Sequence, residues 1–135
     1  MVDYLCVRKA EDFPVPKLLI VEDNDNLRAL YREELSEEGY SVTVAENGVA
    51  ALGMMDACQP DLVVLDISMP EMDGVQAMHE ILHKHRVIPI ILNTAFPQYR
   101  DAYSTWPANA YVVKSGDLTE LKAKIQEQLK LFNLV

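Results

Sequence analysis

Leu62-Val63-Val64-Leu65-Asp66-Ile67-Ser68-Met69-Pro70-Glu71-Met72-Asp73-Gly74 is the stretch whose reading decides the fold. Four aliphatic residues run together without polar alternation, which predicts a central parallel strand covered on both faces. The run ends in a carboxylate, Asp66, and then in turn-forming residues. The pattern recurs along the chain. Leu18-Leu19-Ile20-Val21 ends in Glu22-Asp23, and two later apolar runs end in Thr94 and Lys114. Four strand-like segments thus each present a reactive or phosphate-handling side chain at the C-terminal end. In open parallel α/β sheets, ligands bind at that edge.

Working outward, strands alternate with amphipathic segments. Lys17–Val21 reads as a buried strand. Residues 24–38 read as a helix with Leu27, Leu30, Tyr31, Glu34 and Leu35 on one stripe and Gly39 as its stop. Residues 40–44 are strand-like, and residues 47–58 form a helix stopped by Gln59-Pro60. Gly74 to His85 is a third helix with Val75, Met78, Ile81 and Leu82 as its buried face, and 88–92 is the fourth strand. Between Phe96 and Ala108 the helical pattern is poor, with Pro97 and Pro107 bracketing Tyr99, Tyr103 and Trp106. Residues 110–113 make the fifth strand. Asp117 is expected to start the last helix, with Glu120 completing a capping box.

Such alternation implies right-handed βαβ units, a parallel sheet and helices on both sides. The expected fold class is α/β, a flavodoxin-like doubly wound five-stranded sheet with strand order 2-1-3-4-5. That order places Glu22-Asp23 and Asp66 side by side. Residues 1–16 stand apart as an N-terminal extension closed by Phe13-Pro14-Val15-Pro16, a stiff connector. Residues 17–135 form the folded domain.

The bulk composition narrows the function classes. The 135 residues suit one domain with one core. The formal net charge of −9 disfavours direct binding to nucleic acid or to an anionic membrane, since both rely on Lys and Arg at phosphates. Cys6 and Cys58 are too few for a disulfide framework and read as reduced thiols. No apolar stretch is long enough to span a membrane and no signal peptide is evident, so a cytoplasmic location is expected.

Three carboxylates meeting in one crevice repel one another unless a cation lies among them. Mg²⁺ suits such a site. It takes oxygen ligands, binds one or two carboxylates directly and keeps positions open for water or substrate oxygens. The backbone carbonyl of Ser68 is a further candidate ligand. A carboxylate beside such a cation can attack a phosphoryl group and form an acyl phosphate, while a Lys114 ammonium and a Thr94 hydroxyl share the transferred charge.

These residues together resemble the receiver domain of bacterial two-component response regulators. The resemblance runs from Lys17 to about Phe132 and rests on Glu22-Asp23, Asp66 with Met69-Pro70 and Met72-Asp73-Gly74, Thr94-Ala95, and Tyr111-Val112-Val113-Lys114. It implies that Asp66 is the phosphoacceptor and that Glu22 and Asp23, with Asp66 and the Ser68 carbonyl, hold Mg²⁺. Thr94 and Lys114 would contact the phosphoryl, and Tyr111 would be the aromatic switch residue. It also implies a sensor histidine kinase or phosphotransfer protein as donor and a downstream protein as reader. Beyond accepting a phosphoryl group and losing it slowly, the domain is expected to have no enzymatic activity. Ser115 departs from the family, where a proline commonly follows the lysine, and a trans Lys114-Ser115 bond is expected because a non-proline cis bond costs about 2.5–4 kcal/mol.

Two other functions compete with this one. Asp23-Asn24-Asp25 is similar to the nucleophile and acid pair of haloacid-dehalogenase-like phosphohydrolases, but Asn26-Leu27 do not continue that motif. A pseudo-receiver that binds partners without phosphorylation would not need the complete set of site residues. His79 and His83, four apart on a predicted helix, lack an HExxH pattern and read as a solvated face.

Overall fold

The computed structural model describes residues 15–66, 73–84, 87–95, 108–115 and 117–132. Most of the N-terminal extension, Tyr99, Tyr103 and Trp106 lie outside these residues. The elements run β1 (Lys17–Val21), α1 (Asp25–Glu37), β2 (Ser41–Ala45), α2 (Gly48–Cys58), β3 (Leu62–Leu65), α3 (Asp73–Lys84), β4 (Ile90–Thr94), β5 (Ala110–Val113) and a last helix, here α4 (Thr119–Leu131). All strand pairings are parallel and the order is β2-β1-β3-β4-β5. This is the expected flavodoxin-like, doubly wound sheet.

Each face of the sheet carries its own core, as a parallel sheet requires. Leu19, Val21, Val63, Leu65, Ile90, Leu92 and Tyr111 pack with Ala51 and Met55 of α2 and with Met78 and Ile81 of α3. Leu18, Ile20, Leu62, Val64, Ile91 and Val112 pack with Tyr31 and Leu35 of α1 and with Leu121, Ile125 and Leu129 of α4. Odd and even positions of one strand therefore serve opposite layers. That rule later decides which site residues share a face.

Local chemistry sets most helix ends. Asn24 caps α1, its side-chain oxygen accepting from the Leu27 amide, and Asn47 caps α2 in the same way toward Ala50. Such caps each contribute about 1 kcal/mol. Gly39 leaves α1 at φ 99°, a left-handed conformation that glycine adopts without a Cβ penalty. Gln59 ends α2 at φ 49° before Pro60.

Most element ends fall within one residue of the sequence reading, and two elements begin two residues later. The fourth strand begins at Ile90 rather than at 88 and continues through Thr94. Pro89 has no N–H to give the ladder, although its carbonyl accepts from Val63. Ile90 enters the sheet held by Asn109, whose side chain accepts from the Ile90 amide and whose own amide donates to the Ile90 carbonyl. The last helix starts at Thr119, two residues later than expected, and the capping box is not formed. Asp117 instead accepts from the Thr119 amide at 2.9 Å and the Thr119 hydroxyl at 2.5 Å. Ser115 takes part in the same turn, its hydroxyl donating to the Asp117 carbonyl.

Candidate phosphoryl-transfer site

β1 and β3 are adjacent because the chain crosses over between them, and Val21 pairs with Leu65. One step on, Glu22 and Asp66 leave the sheet side by side. The ladder continues past the strands, with the Asp66 amide donating to the Val21 carbonyl and the Glu22 amide to the Ala45 carbonyl. Glu22 and Asp66 follow the alternation of Ile20 and Val64, so they start from the α1/α4 side. Lys114 follows Val112 on that side, and its amide donates to the Thr94 carbonyl at 2.7 Å. Thr94 and Tyr111 follow Leu92 on the α2/α3 side, and both are buried.

Glu22, Asp23 and Asp66 each present a carboxylate oxygen within 4.8 Å of the others, the only such acidic or metal-ligating group among the described residues. Glu22 is 1% exposed, whereas Asp23 is open to solvent. Lys114 reaches across β3 and β4 into the cluster. Its ammonium lies 2.6 Å from Glu22 Oε1 and 3.2 Å from Asp66 Oδ1. Asp25, the second carboxylate of the phosphohydrolase alternative, is not part of this group. It sits exposed on the first turn of α1 and pairs with Arg28.

The electrostatics follow from burial and crowding. Burial first, and the Glu22 charge second, raise the Asp66 pKa from 3.8 to about 6, while Lys114 pulls it back. Burial works against the Lys114 ammonium, but the Glu22 and Asp66 carboxylates together outweigh it and its pKa is raised. The second Glu22 oxygen accepts from the Asn24 amide at 3.1 Å. Oε1 is paired with the Lys114 ammonium. One ammonium offsets only part of the charge of three crowded carboxylates, and the remainder suits a second cation with oxygen preference.

Three residues at the site were not singled out from the sequence. Arg28 Nη1 donates to the Glu22 carbonyl at 2.9 Å and lies 3.5 Å from that of Asp23, bracing the acidic turn. Asn93 and Tyr31 form a buried hydrogen bond of 3.1 Å, with Asn93 Nδ2 as donor. The signal for Asn93 was a single amide in the run Ile90-Ile91-Leu92-Asn93. Of the expected site residues, Glu22, Asp23, Asp66 and Lys114 are brought together, and Thr94 and Tyr111 stand on the neighbouring strands. Ser68 lies outside the described residues.

The response regulator receiver domain family matches residues 18–126. The chain belongs to this family. The receiver is 36% identical over 119 residues to the regulatory protein AtoC of Escherichia coli, covering 87% of this chain and 26% of AtoC. It is 34% identical to the response regulator MprA of Mycobacterium avium, covering 84% of this chain and 51% of MprA. The chain thus spans about a quarter to a half of the length of such curated relatives. Among solved structures, the Thermotoga maritima response regulator TrrA, in complex with Mg²⁺–BeF, superposes with a TM-score of 0.77 at 44% identity, covering 84% of this chain and 98% of TrrA. TrrA has also been solved in complex with the histidine kinase ThkA, again at 44% identity and a TM-score of 0.77, covering 85% of this chain and 99% of TrrA. No helix among the described residues is long and apolar enough to cross a membrane.

Proposed function

We propose that this receiver is a cytoplasmic phosphorylation switch of a two-component pathway, with Asp66 as the phosphoacceptor and a sensor histidine kinase or phosphotransfer protein as donor. The observation that carries the reading is the convergence of Asp66 with Glu22, Asp23 and Lys114 at the carboxyl edge of the sheet. The kinase complex of TrrA supports the choice of donor.

The residues divide the work. With a pKa of about 6, Asp66 is mostly ionised at neutral pH and available as a nucleophile. One carboxylate oxygen attacks phosphorus, and the bond from phosphorus to the donor's nitrogen or oxygen breaks. The electron pair leaves with the donor, and an acyl phosphate remains on Asp66. Glu22, Asp23 and Asp66 would hold Mg²⁺, which when bound offsets the negative charge of the cluster and of the incoming donor. Lys114, already 3.2 Å from Asp66, turns its ammonium to the phosphoryl oxygens. The Thr94 hydroxyl donates to the same group, and Tyr111 follows it inward, which biases the surface beyond β4 and β5. The product is an acyl phosphate on Asp66, which water cleaves slowly back to the carboxylate and inorganic phosphate, so the domain acts as a switch rather than as a turnover enzyme.

The test is incubation with acetyl phosphate and Mg²⁺, read by intact mass and hydroxylamine sensitivity. One phosphoryl group per chain is expected, dependent on the cation and absent in Asp66→Asn. Equal labelling of wild type and Asp66→Asn would move the nucleophile to Asp23.

A further inference from the structure

A neutral hydrogen bond lies on the same side of the sheet as the charged site. β3 pairs with β4 through Leu65 and Leu92, so one step on Asp66 stands beside Asn93. Neighbouring strands run about 4.8 Å apart. By the same alternation Asn93 follows Ile91 and shares the α1/α4 face with Glu22, Asp66 and Lys114. The register therefore places the Asn93 amide, a neutral donor, beside the nucleophilic carboxylate on that face. One of its two N–H groups is committed elsewhere. Its Nδ2 donates to the Tyr31 hydroxyl, and both residues are only 2% exposed. Tyr31 belongs to α1 and is within electrostatic reach of Lys114, Glu22 and Asp66.

Physical chemistry makes this arrangement notable. A hydrogen bond to an ionised carboxylate is about twice as strong as one between neutral groups. A buried amide beside Asp66 would therefore turn to the carboxylate unless something held it. The carboxylate oxygen would then be occupied by a donor that is neither the cation nor Lys114. Tyr31 supplies the restraint from the helix layer that covers this same face, on a helix fixed by Leu35 in the same core.

We propose that Tyr31 and Asn93 are a pair of positioning residues, in which the Tyr31 hydroxyl holds the Asn93 carboxamide onto α1 and so keeps the Asp66 oxygens open for a divalent cation and the incoming phosphoryl group. This role rests on the functional reading above. It goes beyond that reading by giving α1 a part in the readiness of the site. The pair touches neither donor nor cation, so its effect passes through Asp66.

The experiment is calorimetric titration with MgCl₂, alongside thermal unfolding, on four proteins: wild type, Tyr31→Phe, Asn93→Leu and the double variant. Tyr31→Phe keeps the ring and frees the amide, so Mg²⁺ binding should weaken about tenfold, the lower end for a hydrogen bond to a charged group. The double variant removes the freed donor and should return Mg²⁺ affinity to within about twofold of wild type. A role in packing alone would lower the unfolding temperature of Tyr31→Phe with Mg²⁺ affinity unchanged, and that result overturns the proposal. A double variant that binds Mg²⁺ as weakly as Tyr31→Phe also overturns it, because the tyrosine hydroxyl would then matter in itself. Should Tyr31→Phe not fold, Asn93→Leu decides, since it carries no donor to free. Mg²⁺ affinity within about twofold of wild type supports the proposal, and a loss of tenfold or more means that the carboxamide serves the site directly and overturns it. Failure of the wild type itself to bind Mg²⁺ would instead overturn the functional reading, and this role with it.

Discussion

Removing the nucleophile should make the protein more stable. Asp66 is 10% exposed and sits between Glu22 and the Lys114 ammonium. Its pKa rises from 3.8 to about 6 on folding, with burial the main cause and Glu22 the next. Between those two values the folded protein binds the proton more tightly than the unfolded chain does. Stability therefore falls as pH climbs through this window, and above about pH 6 the full penalty is present. Each pH unit of difference is worth about 1.4 kcal/mol, so the ionised carboxylate costs about 3 kcal/mol. The attraction of Lys114 is already included, since it lowers the same pKa. Asparagine has nearly the same shape and no charge. Asp66→Asn at pH 7.5 without divalent cations should thus gain about 1–3 kcal/mol, or roughly 3–10 °C in unfolding temperature for a domain of this size.

The assay is thermal unfolding by circular dichroism for both proteins at pH 7.5 and pH 4.5, with and without MgCl₂. The advantage of the variant should shrink at pH 4.5, where Asp66 is largely protonated in the wild type. It should also shrink in Mg²⁺, because the wild type gains by binding the ion and the variant gains less. An Asp66→Asn protein that unfolds at or below the wild-type temperature at pH 7.5 would refute the reasoning. So would a stabilisation independent of pH, because the cause would then lie outside the Asp66 charge.

Lys122 tests the opposite extreme, since its ammonium joins α4 to α1 through Glu34 at 2.9 Å and Glu38 at 3.6 Å in a partly exposed setting. Lys122→Ala should lower the denaturant midpoint only slightly, and by less in 1 M salt; a large, salt-independent loss would mean that the aliphatic stem does the work. Trp106 is the only tryptophan of the chain, and beryllium fluoride with Mg²⁺ should change its emission in the wild type but not in Thr94→Ala; unchanged emission when the mimic is bound would sink the route from Thr94 to the surface.

How much of this was legible in the sequence depends on how each residue announces itself. Glu22, Asp66 and Lys114 end long apolar runs, so the change of character marks both the strand end and the chemistry. The strand order followed from the alternation of elements, and it alone brought residues 44 positions apart into one cluster. The boundary of β4 was less legible because Ile88, Ile90, Ile91 and Leu92 are all apolar, and only Pro89 lacks the donor that a ladder needs. The start of α4 was misread because Asp117 has the right chemistry for a cap but spends it on a tighter turn with Thr119.

Tyr31 and Asn93 were hidden for a more general reason. Tyr31 lies four residues from both Leu27 and Leu35, so it fits an apolar stripe and its hydroxyl carries no pattern. Asn93 belongs to a central strand buried on both faces. Such a strand has no polar alternation to say which layer a residue faces. Only the register with β3 and β5 reveals that Asn93 shares a face with Asp66 and Lys114 while its neighbour Thr94 does not. Two adjacent residues of β4 thus serve two layers of the same site. Thr94 faces the layer of Tyr111, where the response is proposed to travel, and Asn93 faces α1. A phosphoryl group on Asp66 would bear on both layers at once, and the proposed variants at Thr94 and Asn93 perturb them one at a time.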